Sequence, residues 1–202
     1  MYLFGAGGHA SVLIDILKSQ GKEISGLIDD NKLKTRFQGY HVIHEYKENL
    51  TPLVLSVGNN QIRQEIAERL QNVDFENIID TTAIISKTSK IGEGTVVLQG
   101  CIIQTGSEIG KHCIINTGAS IDHDSKIGDF VHIAPRATLC GNVKVGEGTW
   151  IGAGVTVIPG VKIGKWSIIG AGSVIIEDVP DNVMVAGVPG RFKKELNRLL
   201  VL

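Results

Sequence analysis

The strongest chemical signal in this chain is His123, which stands between Asp122 and Asp124 and is followed eighteen residues later by Gly141. A carboxylate close to an imidazole raises its basicity and can fix its tautomer. A glycine one turn of a repeat away would bare a backbone N–H beside that base. Acyl transfer needs this pair of groups: one to take the nucleophile's proton, and one to hold the oxyanion of the tetrahedral intermediate. Two other histidines lie nearby. His132 is nine residues beyond His123, and His112 reads as a solvated surface residue.

The spacing of eighteen has a structural cause. From Ile79 to Ile175 an aliphatic residue recurs at every sixth position without an insertion, and four residues after each stands a small or β-branched one. Period six fits neither a helix nor an alternating strand, so the unit must stack on itself. A second period is laid over the first in Ile91-Gly92, Ile109-Gly110, Ile127-Gly128, Val145-Gly146 and Ile163-Gly164. Three hexads therefore make one coil with three short faces. One aliphatic per face fills a narrow interior, and aromatic residues are only 5% of the chain, as such an interior demands. Coils stack roughly 4.7–4.9 Å apart, which places His123 and Gly141 side by side.

The first third of the chain reads differently. Tyr2-Leu3-Phe4 is a strand, Gly5-Ala6-Gly7-Gly8-His9-Ala10 a turn, and Ser11 to Lys18 a helix. A second strand, Ile24 to Ile28, ends in Asp29-Asp30, where a dinucleotide fold keeps its ribose-binding acid. A third, Leu53 to Val57, ends at Gly58-Asn59 before a helix from Gln61 to Leu70. About seventy residues give only half of a dinucleotide fold. A small parallel sheet of this kind holds one nucleotide or its sugar, with Gly7, Gly8 and His9 facing phosphate. The plain alternatives are tight-turn glycines, a capping histidine and ordinary turn acids.

Together, the Gly5-x-Gly7-Gly8-His9 opening, the hexads and the stretch from Ile115 to Pro135 resemble one branch of the hexapeptide-repeat transferases. These are the sugar acetyltransferases typified by the sialic-acid O-acetyltransferase and UDP-N-acetylbacillosamine N-acetyltransferase families. The resemblance covers the whole chain. It implies a mixed fold, with a Rossmann-like α/β unit for a nucleotide sugar at 1–77, a left-handed parallel β-helix at 78–180, and a closing turn with a short C-terminal helix at 181–202. It makes His123 the general base, Asp124 the acid that tunes it in place of the family's frequent glutamate, and Gly141 the N–H donor to the thioester carbonyl. Asn116 and His132 then lie near the acetyl group, and Gly7, Gly8, His9, Asp29 and Asp30 hold the sugar nucleotide. Gly152, Ala153, Gly170 and Ala171 form corners beside the pantetheine of acetyl-CoA. Arg191, Lys193 and Lys194 meet CoA phosphates or solvate the tail.

The implied reaction is N-acetylation of a UDP-linked 4-amino-4,6-dideoxy sugar, GDP and dTDP sugars being open. Sugar O-acetylation of the sialic-acid type is the alternative, and a non-catalytic binding solenoid the remote one. The implied assembly is a homotrimer with active sites between subunits. No metal is expected, because the γ-class carbonic anhydrases that bind zinc on this coil place two histidines five apart, not nine.

Composition bounds these readings. A formal net charge of −1 argues against a nucleic-acid partner. Cys101, Cys113 and Cys140 have no pairing register and read as reduced thiols. With no signal-like start and no span long enough for a membrane, the expectation is a soluble cytoplasmic protein.

Overall fold

The computed structural model describes residues 1–70 and 72–197, and the chain divides into two units between Ile78 and Ile79. In the first unit, β1 (Tyr2–Phe4), β2 (Gly26–Ile28) and β5 (Leu53–Leu55) are parallel strands. Both β2 and β5 are buried along their whole length, as strands covered on both sides must be. Between β2 and β5 lies a hairpin of β3 (Arg36–Phe37) and β4 (Tyr40–Ile43), absent from the sequence reading. Its two-residue turn puts Gln38 and Gly39 at φ 48° and 88°, the twist that hairpin turns favour. The sheet order is β3-β4-β2-β1-β5. The order reverses at β1, so the crevice beyond the carboxyl ends of β1 and β5 is the topological switch point where open parallel sheets bind ligands. Helix α1 (Gly8–Ser19) starts three residues earlier than its apolar pattern suggests, with Gly7 at the N-cap. Helix α2 (Asn60–Arg69) is capped by the Asn59 side chain, which accepts the Ile62 N–H at 2.9 Å.

In the second unit each hexad becomes a two-residue strand paired in parallel with the strand eighteen residues on. Ser120–Ile121, for instance, lies between Ile102–Ile103 and Thr138–Leu139. Three faces result. The first contains Ser120–Ile121, the second Lys126–Ile127 and the third His132–Ile133. The second residue of each pair points inward, so Ile121, Ile133, Leu139 and Ile151 are fully buried, and Ala119, Ala137 and Val155 fill the remaining space. Polar members of the small ladder are tolerated because each finds a carbonyl: Thr95 Oγ1 donates to Gly110 O at 2.8 Å, and Ser107 Oγ to Asp122 O at 2.9 Å. The outward residues differ by face. Lys126, Lys144 and Lys162 line the second, while Ile114, His132, Trp150 and Ile168 line the third.

From Gly94 to Gly172 each hexad turns its corner through one residue in left-handed backbone. Glycine serves at many corners, but His112, Asp124, Phe130, Arg136, Asn142 and Trp166 also adopt it, at a cost of roughly 1–3 kcal/mol each that contacts must offset. His112 shows how. It is not on the surface as its sequence context suggested, but 4% exposed, its ring stacked on Phe130 at 5.2 Å and 13°. A Cβ at Gly94 would collide with this ring.

The chain end also differs from expectation. After the last hexad, Val183–Ala186 joins the third face and Arg191–Glu195 returns beside it as an antiparallel strand, where a helix was expected. The open edge of Val183–Ala186 offers unpaired backbone groups, and pairing with the returning strand satisfies them. Arg191, Lys193 and Lys194 stand exposed on this strand. The remainder of the expected helix, 198–202, lies outside the described residues.

Candidate active site

His123 occupies the corner between the first and second faces, just after Ser120–Ile121. Its Nδ1 is 2.9 Å from Asp124 Oδ2. A carboxylate can only accept, so Nδ1 carries the proton and Nε2 keeps its lone pair. The neighbouring Asp122 Oδ1 accepts the His123 backbone N–H at 2.7 Å and stiffens the corner. The Asp124 hydrogen bond, aided by the charge of Asp122, raises the imidazole pKa above its ordinary 6.5 against slight desolvation. Asp124 adopts its left-handed conformation at φ 59°, a region that Asp enters more readily than most residues.

Gly141 lies one coil on, directly against the ring. A Cβ there would sit 2.5 Å from His123 Nε2, so only glycine lets the imidazole approach this closely. Among the described residues nothing accepts the Gly141 N–H, whereas the flanking Cys140 N–H and Asn142 N–H are bonded to Val157 O and His123 O. An unused donor therefore stands beside an unprotonated ring nitrogen.

Asn116 and His132 form a second cluster. Asn116 Oδ1 accepts the Thr117 N–H at 2.8 Å, which turns its amide NH₂ toward His132 Nε2 at 3.1 Å and makes that nitrogen the acceptor. Trp150, 40% exposed, stacks parallel to His132 at 5.7 Å. It went unnoticed in the sequence, although its spacing of eighteen from His132 was visible. This cluster follows the third face, one face away from the His123 corner of the same coil. Gly152-Ala153 and Gly170-Ala171 continue its corner on later coils. A Cβ at Gly152 would lie 2.5 Å from Ile169 O and one at Gly170 2.7 Å from Ala186 Cβ, so the coil itself requires both glycines.

In the first unit, Gly7 and Gly8 behave differently: a Cβ on either would meet nothing within 4 Å. The chain does not impose glycine there, and the openness leaves the first-turn N–H groups of α1 accessible at the positive end of the helix. His9 follows, and burial with the nearby Arg63 charge pushes it down to about 4, so it is neutral at pH 7. Its Nε2 is buried with no hydrogen-bond partner among the described residues. Asp29 is engaged within the chain, accepting Ala6 N–H at 2.8 Å, Asn31 N–H at 2.9 Å and Lys34 Nζ at 3.0 Å. Burial opposes its ionisation, but these donors outweigh it and hold the carboxyl below its ordinary 3.8. Asp30 is exposed and paired with Arg69 at 2.9 Å. Residues the sequence did not flag complete the crevice. Ser56 Oγ donates to Gly5 O at 2.7 Å, and the buried Arg63 donates to Val57 O at 2.9 Å and Gly58 O at 3.2 Å. Only the Gly58-Asn59 pair after a strand hinted at this loop.

Among the described residues Cys101, Cys113 and Cys140 form no disulfide. Among the described residues no group of His, Cys, Asp and Glu is arranged to hold a metal ion, and no helix is long and apolar enough to cross a membrane.

Comparison with known proteins gives a consistent answer. Residues 1–70 match the PglD N-terminal domain, and residues 142–177 the bacterial transferase hexapeptide (six repeats). The chain is 43% identical over 107 residues to UDP-N-acetylbacillosamine N-acetyltransferase of Bacillus subtilis, across 48% of this chain and 50% of that one. It spans half or less of the curated relatives it matches. Among solved structures, a histidine-to-asparagine variant of perosamine N-acetyltransferase from Caulobacter crescentus, in complex with CoA and GDP-perosamine, superposes with TM-score 0.91 at 35% identity over 96% of both chains. The acetyltransferase domain of PglB from Neisseria gonorrhoeae superposes at 0.88 with 32% identity, over 95% of this chain and 98% of that one. With sequence and fold shared over nearly its whole length, the chain belongs to the hexapeptide-repeat sugar acetyltransferases of the sialic-acid O-acetyltransferase and UDP-N-acetylbacillosamine N-acetyltransferase family.

Proposed function

We propose that this protein transfers the acetyl group of acetyl-CoA to the amine of a nucleotide-linked amino sugar, with a UDP-linked 4-amino-4,6-dideoxy sugar as the leading substrate. The observation that carries the reading is the corner where His123 Nε2 keeps its lone pair against the unused N–H of Gly141. His123 Nε2 takes the amine proton as nitrogen attacks the thioester carbon. The Gly141 N–H donates to the carbonyl oxygen as it gains charge. When the C–S bond breaks, His123 returns the proton to the leaving sulfur, and a new amide and a free thiol result. Asp124 holds the tautomer and stabilises the imidazolium between these steps. General-base catalysis is worth about 10²–10⁴-fold and one oxyanion donor roughly 3–4 kcal/mol, and neither calls on a metal.

The nucleotide is proposed to bind at the switch point of the first unit, where the open Gly7-Gly8 turn, the helix N-terminus and neutral His9 suit a diphosphate. Relatives support the substrate class: the Bacillus enzyme bears a UDP-sugar name, and the Caulobacter enzyme holds CoA and GDP-perosamine.

The working unit is proposed to be a homotrimer. His123 and the Asn116–His132 cluster occupy different corners at the same level of the coil, and a three-fold packing of parallel coils would bring one copy's first cluster to the next copy's second. The apolar third face suits such packing, and the lysine-lined second face suits solvent. The test is thiol release from acetyl-CoA with UDP-, GDP- and dTDP-linked amino sugars and free sialic acid. Release with one nucleotide amino sugar supports the proposal; release with sialic acid alone would replace it with O-acetylation, and release with none would refute it.

A further inference from the structure

Six coil corners between Leu98 and Trp166 or just before carry a residue other than glycine in left-handed backbone. Five have a visible reason. His112 and Phe130 stack on each other, and Trp166 is buried over Gly148. Asp124 holds His123, and Asn142 is of a type that tolerates this conformation, its N–H bonded to His123 O. Arg136, at φ 58°, is the exception. Its equivalents on the coils before and after are Gly100, Gly118, Gly154 and Gly172, all at positive φ, so this corner asks for glycine.

The arginine side chain gains nothing within the chain in return. It is exposed, and among the described residues no carboxylate or carbonyl pairs with its guanidinium. From Leu98 to Gly172 it is also the only charge on its corner. Asn116-Thr117-Gly118 below it, Ala134-Pro135 beside it, and Gly152-Ala153-Gly154 and Gly170-Ala171-Gly172 beyond it are all neutral. Arg136 follows the His132–Ile133 strand by three residues and lies level with Gly141 on the stack. A costly backbone, an unpaired cation and a neutral corner leading to the acyl-transfer groups are the marks of a residue kept for a ligand.

We infer that Arg136 is a substrate-binding residue that takes a phosphate of one of the two phosphate-bearing substrates. The identity of those substrates rests on the proposed acetyl transfer. A guanidinium presents a planar fork that meets phosphate oxygens in pairs, which a lysine does only as a point charge. The phosphate comes either from CoA or from the diphosphate of the sugar nucleotide.

Arg136→Gly restores the residue used at the neighbouring coils, so the variant folds and melts no lower than the parent. Calorimetry with CoA, and separately with UDP, GDP and dTDP, reads the two sources independently of turnover. The inference predicts that affinity for one of them falls by about tenfold or more, together with part of its salt dependence, and that Arg136→Lys recovers some of the loss. Loss confined to CoA assigns the contact to CoA, and loss confined to the nucleotides assigns it to the sugar nucleotide. Unchanged affinity for all four overturns the inference, as does equal loss for both classes, which signals a change of shape. A parent protein that binds CoA or a nucleotide but releases no thiol would sink the proposed reaction and leave this test intact. One that binds none of the four overturns both.

Discussion

His123 is set by groups whose effects can be separated. Because the Asp124 bond raises its pKa, and because only the neutral ring can accept a proton, turnover should rise with pH through a midpoint above 6.5 and fall away on the acid side. Asp124→Asn removes the charge and replaces an acceptor-only group by an amide that can donate to Nδ1 as well as accept from it. We expect the acid limb to move to lower pH while the plateau rate drops, since nothing then fixes the Nε2 lone pair; a profile that stays in place would remove Asp124 from this role. Gly141→Ala isolates the close approach instead. Its methyl would lie 2.5 Å from Nε2, so the ring must swing away, and the rate should fall about 10²-fold with the N–H still present. Wild-type turnover in that variant would mean that the ring need not stand where it does. Much of this was legible from His123, its acidic neighbours and the count of eighteen to Gly141, because a rigid period converts spacing into contact. The burial of His112 was not legible. It depends on the Phe130 ring one coil above and the space at Gly94, neither of which a single position declares.

At the level of elements, the loops of the first unit are tied by Asp29, which receives two backbone N–H groups and the Lys34 ammonium. Its folded pKa is depressed, so its contribution to stability is present above the ordinary carboxylate range and is lost as pH falls through the folded value. Asp29→Ala should therefore loosen the Gly5–Gly8 turn as well as remove a carboxylate. The measurable outcome is a higher KM for the sugar nucleotide with the KM for acetyl-CoA nearly unchanged, and a shift in the second alone would contradict the assignment. The sequence placed Asp29 at a strand end but could not say that its lone pairs are already occupied within the chain. Short hairpins were the other blind spot. Arg36–Ile43 hides behind a Gln-Gly turn, and at Arg191–Glu195 the resemblance implied a helix, whereas an unpaired strand edge beside it decides the matter.

At the level of the whole molecule, the two clusters of the coil stand at different corners of one chain, and the proposed trimer would complete each site with a second copy. Mixed assemblies of His123→Ala and His132→Ala chains, each nearly inactive alone, should recover part of the parent's activity, since some sites then draw His123 from one chain and His132 from its neighbour. No recovery in mixed assemblies would mean that the two residues act within one chain, against the shared site. The most direct measurement is thiol release from acetyl-CoA, with the best nucleotide amino sugar, by parent and His123→Ala protein at equal concentration of folded chain. The account predicts a fall in kcat of at least about 10²-fold with CoA affinity retained, and a variant that turns over at the parent's rate would contradict it.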